Sequence, residues 1–103
     1  MKEIKIYERI GNKDFAENKD IGKDIRVNEI MPELEKNNQV ILNFEGIDRA
    51  SQSFIHSIVS DPVRQYGDRA LELMLFKSCN NKVKGMIKIV LGYLQDAIDN
   101  KEG

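Results

Sequence analysis

Residues 40–54 read VILNFEGIDRASQSF, and the fold is decided by this stretch. It begins with a short apolar run from Val40 to Phe44, which is typical of a central strand buried on both faces. The run closes with Glu45-Gly46, a turn signal, and a helical stripe of apolar residues starts a few positions later. Helices that alternate with buried strands in this way indicate an α/β layer with parallel strand pairing.

The same alternation extends in both directions along the chain. Ile4 and Ile6 alternate with Lys5 and Tyr7, which is the two-residue period of a strand with one buried face. Strands are predicted at 3–7, 40–44 and 71–76, and helices at 21–36, 51–66 and 83–98. The sequence therefore predicts one α/β domain over 1–103, with a small single-layer sheet, helices packed on it and the order β-α-β-α-β-α.

Several element boundaries can be assigned from single residues. Asp20 is predicted to cap the first helix and Asn80 the last, because their side-chain oxygens can accept a backbone N–H. Pro32 predicts a kink or a short second segment in the first helix, and Ser60-Asp61-Pro62 is expected to break the second. The last helix has the clearest apolar stripe, formed by Val83, Met86, Ile87, Val90, Leu91, Leu94 and Ile98.

Composition argues against several classes of function. Sixteen basic residues against seventeen acidic ones give a formal net charge of -1, so no charge excess points to nucleic acid. The amino-terminal residues lack the apolar stretch of a secretory signal, and no segment approaches the ~18 apolar residues of a membrane span. A single cysteine cannot form an intrachain disulfide and fits a reducing compartment. We therefore expect a cytoplasmic protein that binds neither nucleic acid nor membrane.

Residue types that catalyse reactions or hold metals are sparse. His56 and Cys79 are the only histidine and cysteine, and they lie on different predicted elements, whereas a zinc site needs three or four such ligands. The chain contains neither a Gly-x-Ser-x-Gly nucleophile elbow nor a glycine-rich phosphate loop. We therefore expect no metal, no cofactor and no enzymatic activity.

Two serines, Ser51 and Ser53, stand where the second helix should begin. A serine hydroxyl at such a place can cap the helix by accepting an orphan backbone N–H. The same free N–H groups and the positive end of the helix dipole also favour a phosphate, so a serine here is a candidate phosphorylation site as well. Both interpretations remain open from the sequence.

In the order of its motifs the chain resembles the STAS domains of bacterial anti-anti-sigma factors, and more closely the STAS-like family of bacterial domains of unknown function. The resemblance covers about residues 20–98. It is carried by motifs in a fixed order, namely Met31-Pro32, the strand and turn from Val40 to Gly46, Ser53-Phe54, Tyr66-Gly67, the strand ending at Phe76 and the closing amphipathic helix.

The resemblance also assigns roles at the start of the second helix. Ser53 takes the position of the phosphoacceptor serine of anti-anti-sigma factors, while Ser51, Gln52 and Phe54 stand where their motif has Asp, Ser and Gly. It implies a non-catalytic regulatory module that docks a protein partner, such as a histidine-kinase-like ATPase or an anti-sigma-like regulator. The candidate docking or phosphorylation residues are Ser53, Ser51, Arg49 and Phe54.

The last helix offers a second candidate surface. Ile89 and Tyr93 lie four residues apart beside the apolar stripe, while Gly85 and Gly92 lie roughly opposite it. Glycine inside a helix costs ~1 kcal/mol relative to alanine. Either the two glycines form a smooth surface that another backbone can approach, or they arose by drift without selection. Ile89 and Tyr93 are therefore candidate interface residues. The alternative function is a structural or assembly subunit, as a homodimer or as part of a larger bacterial system.

Overall fold

A computed structural model describes the backbone of residues 2–102 and the side chains of residues 2–94. The helices and strands follow one another as β1 (Lys2–Lys5), α1 (Ile6–Arg9), β2 (Phe15–Ala16), α2 (Lys19–Ile25), a π-helical turn (Arg26–Ile30), α3 (Met31–Glu35), β3 (Val40–Asn43), β4 (Arg49–Ala50), α4 (Gln52–Tyr66), α5 (Asp68–Leu73), β5 (Met74–Lys77) and α6 (Asn81–Glu102). The predicted α/β class, with a small parallel sheet and helices packed on it, is confirmed.

The main sheet contains three parallel strands in the order β1-β3-β5. β3 lies at its centre, where Val40 is aligned with Lys2 on one side and with Met74 on the other. Three of its four residues are buried and Ile41 is partly buried, as is usual for a strand with a paired neighbour on each side. The predicted central strand is therefore confirmed, and it ends one residue earlier, at Asn43. The expected burial of both faces was wrong, because helices pack on one face only and the neighbouring Glu3 and Leu75 on the other face are exposed.

The helices cover one face of this sheet. Side chains on a strand point alternately to its two faces. Ile4, Leu42 and Met74 are buried in the core, whereas Glu3 and Leu75 on the opposite face are exposed. Helix α4 lies in the middle of the helical layer, because it contacts both α2 and α6. Its apolar stripe therefore forms the centre of the core.

The first long helical segment is capped by Asn18 and not by Asp20. The Asn18 side-chain oxygen accepts the backbone N–H of Asp20 at 2.9 Å and that of Ile21 at 3.4 Å. Asn18 has extended backbone angles, as an N-cap requires, so the helix begins one residue before Asp20. The predicted cap was therefore wrong by two positions.

Pro32 lies in the first turn of α3, directly after the π-helical turn. Proline lacks an N–H and its ring crowds the carbonyl one turn earlier, so a wider turn ahead of it relieves both problems. The predicted second segment is present as α3. The π turn also explains why Ile25 and Ile30, five residues apart, are both buried.

Pro62 does not break α4, contrary to the sequence prediction. The helix runs without interruption from Gln52 to Tyr66, and Pro62 is buried within it. The lost hydrogen bond is outweighed because Val59 and Val63 on either side are packed into the core. Asp61 lies within the same helix, and its carboxylate is 3.3 Å from Nε of Arg26.

Two predicted strands have shifted ends. β1 stops at Lys5 and the chain turns into α1, which keeps Ile6 buried. The strand predicted at 71–76 begins at Met74, because residues 68–73 form α5. In both cases the shifted boundary falls at a short helix that buries an apolar residue, Ile6 in α1 and Ala70 in α5.

Helix α6 agrees with its predicted stripe. Asn80 accepts the backbone N–H of Val83 at 2.9 Å, so the predicted cap is confirmed. The stripe residues on the core side are buried at Val83, Ile87, Val90 and Leu94 and partly buried at Met86 and Leu91. The side chain of Ile98, also predicted to be in the stripe, lies outside the described residues. None of the described helices, not even α6, has the length and apolar character needed to cross a bilayer.

Candidate functional site

The turn between β3 and α4 is held in place from two directions. Gly46 has φ of 89°, and a Cβ there would lie 2.9 Å from the Tyr7 ring, so only glycine fits. Beyond it, β4 pairs in parallel with β2, and the Ser51 N–H donates to the Ala16 carbonyl at 2.8 Å. The start of α4 is therefore fixed in position. The sequence did not predict the β2–β4 pair, because strands of two residues show no alternation of apolar and polar positions.

Ser51 and Ser53 have different environments. Ser51 is the N-cap of α4, and its Oγ accepts the Phe54 N–H at 3.1 Å. Its backbone is extended, with φ of -75° and ψ of 158°. Ser53 lies in the first helical turn, is exposed, and places its Oγ 3.2 Å from that of Ser51. The capping geometry thus belongs to Ser51, and Ser53 is the hydroxyl that another molecule can reach.

Arg49 is engaged beside the helix start. Its guanidinium carbon lies 4.4 Å from the centroid of the Phe15 ring, a geometry in which the ring face attracts the cation. Its Nε is also 3.8 Å from the carboxylate of Asp48. Within the described residues, these contacts hold Arg49 against the loop. Its side chain is still 58% exposed, and among the described residues it forms no hydrogen bond with Ser53.

Phe54 belongs to the core, and its assignment as a docking residue was wrong. Its exposed fraction is 0%, so no partner can contact it in the folded chain. The reason is helical geometry, because Phe54 shares the buried stripe of α4 with Ile55 and Ile58. The preceding residue, Ser53, falls about 100° away around the helix and faces outwards. Reading the helical period strictly would have separated these two neighbours.

A groove between α2 and α4 opens beside Ser53, with a volume of about 710 Å³. One wall carries Lys19, Lys23 and Arg26, and the other carries Ser53 and His56. We call these five residues and the space between them the basic groove. Positions 19, 23 and 26 follow the i, i+4, i+7 spacing that places side chains on one face of a helix. This spacing is visible in the sequence, but which helix stands opposite it is not.

Helices α2 and α4 approach each other closely beside the basic groove. Gly22 is buried, and a Cβ there would overlap the Ser57 Oγ and lie 3.3 Å from the Phe54 carbonyl oxygen. Ser57 Oγ donates to that same carbonyl at 2.6 Å, and Arg26 Nη1 donates to the Ser57 carbonyl at 2.9 Å. Glycine at position 22 therefore sets the distance between the two walls.

The candidate interface residues of α6 are exposed. Ile89 has an exposed fraction of 47% and Tyr93 of 61%. A Cβ on Gly85 or Gly92 would meet no atom within 4 Å, so packing among the described residues does not require either glycine. This apolar strip therefore remains available for contact with another molecule.

His56 and Cys79 lie in separate places, on α4 and in the turn before α6. Burial raises the pKa of the Cys79 thiol, and the nearby Lys84 charge opposes that rise more weakly. A raised pKa keeps the thiol protonated and unreactive at neutral pH. Across residues 2–94 no three or more His, Cys, Asp or Glu side chains are grouped as metal ligands.

The chain is a small α/β domain in which one layer of helices packs on a three-stranded parallel sheet. An exposed serine lies in the first turn of the helix that comes after the central strand. The chain belongs to the family described as STAS-like domain of unknown function (DUF4325), whose model matches residues 5–84. The resemblance noted in the sequence is thereby confirmed. No curated protein and no solved structure matches the chain.

Proposed function

We propose that this chain is a cytoplasmic, non-catalytic regulatory module of a bacterial system, which binds a protein partner through the start of α4. The observation that carries the proposal is the exposed Ser53, which borders a groove and which the resemblance aligns with the phosphoacceptor serine of anti-anti-sigma factors. Membership of a STAS-like family supports the same kind of role. The resemblance suggests a histidine-kinase-like ATPase as the partner.

The rigidity of this helix start favours binding. The Ser51 cap, the β2–β4 pair and the Gly46 turn fix its backbone before any partner arrives. A surface that needs no reordering loses less entropy on association, so more of the contact energy appears as affinity. Ser53 and Gln52 are the exposed side chains of the first turn, and a partner would meet them first.

Replacing Ser53 by Asp should weaken partner binding by at least about tenfold, whereas Ser53→Ala should change it by less than about threefold. The aspartate places a fixed charge in the contact, while alanine removes only a hydroxyl. Isothermal titration of each folded variant against purified candidate ATPases measures this difference. Gln65→Glu is the matched control, because it adds the same charge to the exposed far end of α4.

Circular dichroism should show the same helical content for wild type and all three variants. If the folded Ser53→Asp, Ser53→Ala and Gln65→Glu proteins all bind a partner as tightly as wild type does, the partner does not dock at the start of α4.

A second candidate function, assembly through α6, is favoured by the exposed strip of Ile89 and Tyr93. Ile89→Asp should then weaken self-association by at least about tenfold with little effect on thermal stability, because an aspartate in an apolar contact is desolvated without a partner. Sedimentation over a range of concentrations measures this. Val27→Asp is the control, since Val27 is 49% exposed on a different helical segment. Equal association of both variants and wild type would argue against assembly through α6.

A further inference from the structure

We infer that the basic groove binds an acidic, extended segment of the partner, with carboxylates seated on Lys19 and Lys23. This inference rests on the proposed function, because it names what the partner presents beside Ser53. It also concerns a surface that the family resemblance did not identify. Three features of the groove support it: its positive charge, the spacing of its two lysines and the hydrogen-bond donors on the opposite wall.

Positive charge is concentrated in the basic groove although the chain as a whole carries a net charge of -1. Three cations line it against one acid, Asp20. Arg26 is already held by the Ser57 carbonyl at 2.9 Å and by Asp61 at 3.3 Å. Among the described residues Lys19 and Lys23 form no ion pair, and both are exposed. Two lysines are therefore available to an incoming anion, and complementary charge both attracts and orients it.

The spacing of the two lysines matches an extended chain. Lys19 and Lys23 are four residues apart on α2, which is about 6 Å along the helix axis. Alternate side chains of an extended strand are about 6.5 Å apart and point the same way. A segment with acidic residues at every second position can therefore place one carboxylate on each lysine.

The opposite wall offers groups that also suit carboxylates. Ser53 and His56 line it and are exposed. A serine hydroxyl donates one hydrogen bond, and an imidazole can donate from a ring nitrogen. A carboxylate in the groove thus meets cations from α2 and hydrogen-bond donors from α4. Close approach of the two helices at Gly22 and Ser57 brings these groups to the same groove.

Ser53 connects this groove to regulation. A negative charge placed on Ser53 would lie in the lining of the basic groove, where Lys19 and Lys23 would attract it. It would therefore compete with the partner's carboxylates. Phosphorylation of Ser53 would then weaken partner binding for two reasons. The chain's own phosphate would occupy the lysines, and it would repel the partner's carboxylates.

The test uses the full chain and a fluorescein-labelled decapeptide of alternating Glu and Ser, measured by fluorescence anisotropy at low salt. The wild type should bind it, and the same peptide with Gln in place of Glu should bind at least about tenfold more weakly. Combining Lys19→Glu with Lys23→Glu should weaken binding of the acidic peptide at least about tenfold, and Ser53→Asp should weaken it in the same direction.

The matched control combines Lys84→Glu with Lys88→Glu, since these lysines are also exposed and four residues apart, but lie on α6. It changes the net charge equally and should alter affinity by less than about twofold. Equal losses in both double variants, or equal binding of the Glu and Gln peptides, would overturn the inference. Because no partner is present in this assay, these outcomes are separate from the Ser53 measurement with ATPases, which alone decides the proposed function.

Discussion

Truncation of Phe54 to alanine should lower the free energy of unfolding by about 3–5 kcal/mol, the usual cost of removing a buried phenylalanine ring. Phe54 has an exposed fraction of 0% and lies in the same core as Phe44 and Ile58. The ring is anchored in the first turn of α4, whose backbone is fixed by the Ser51 cap, so the helix cannot easily shift to fill the cavity. Urea denaturation followed by circular dichroism measures the loss.

The neighbouring position supplies the control for this experiment. Ser53→Ala should cost less than about 0.5 kcal/mol, because Ser53 is exposed and does not hold the cap. Comparing Phe54→Ala with Ser53→Ala distinguishes a core residue from the surface residue beside it. A Phe54→Ala protein as stable as wild type would mean that its ring is not in the core, and the position would again be a docking candidate.

Gly22→Val should destabilise the chain by about 3 kcal/mol, at the upper end of the usual cost of overpacking. The added Cβ would overlap the Ser57 Oγ and press on the Phe54 carbonyl, which is backbone and cannot rotate aside. The better helix propensity of a non-glycine residue recovers less than 1 kcal/mol of this cost. Thermal or urea unfolding measures the net effect.

Two further variants identify the contact responsible. Gly22→Ala should cost less than Gly22→Val, and it should cost less still in a Ser57→Ala background, because the overlapping hydroxyl is then absent. Gly85→Ala is the control, since a Cβ there meets no atom within 4 Å and should stabilise α6 by up to about 1 kcal/mol. No destabilisation by Gly22→Val would show that α2 and α4 do not approach closely at this point.

Features that depend on local pattern were predictable from the sequence. The strand at 40–44 is an apolar run bounded by turn residues, and few other structures can bury it. The stripe of α6 and its Asn80 cap are likewise encoded within one segment. The motif order additionally predicted that Ser53 would open a helix, and it does so on the surface.

Features that depend on two distant segments were not predictable. The basic groove exists because Gly22 lets α2 approach α4 at Ser57, and no property of either segment alone reveals that contact. Pro62 was expected to end a helix because the sequence shows the cost of a proline inside a helix. It does not show the packing of Val59 and Val63 that offsets this cost. Phe54 was treated as exposed because the family motif, and not the helical period, set its assignment.

The position of β3 makes every pairing in the main sheet a contact between distant parts of the chain. Its partners in the sheet are 38 and 34 positions away in sequence, from Lys2 to Val40 and from Val40 to Met74. No hairpin can therefore nucleate this sheet, and each pairing must first close a long loop, which slows folding. The start of α4 is likewise held by segments far away in the sequence, since the Ser51 N–H donates to the Ala16 carbonyl and the Gly46 turn lies against Tyr7. A partner that docks there would therefore recognise the folded chain and not an unfolded one.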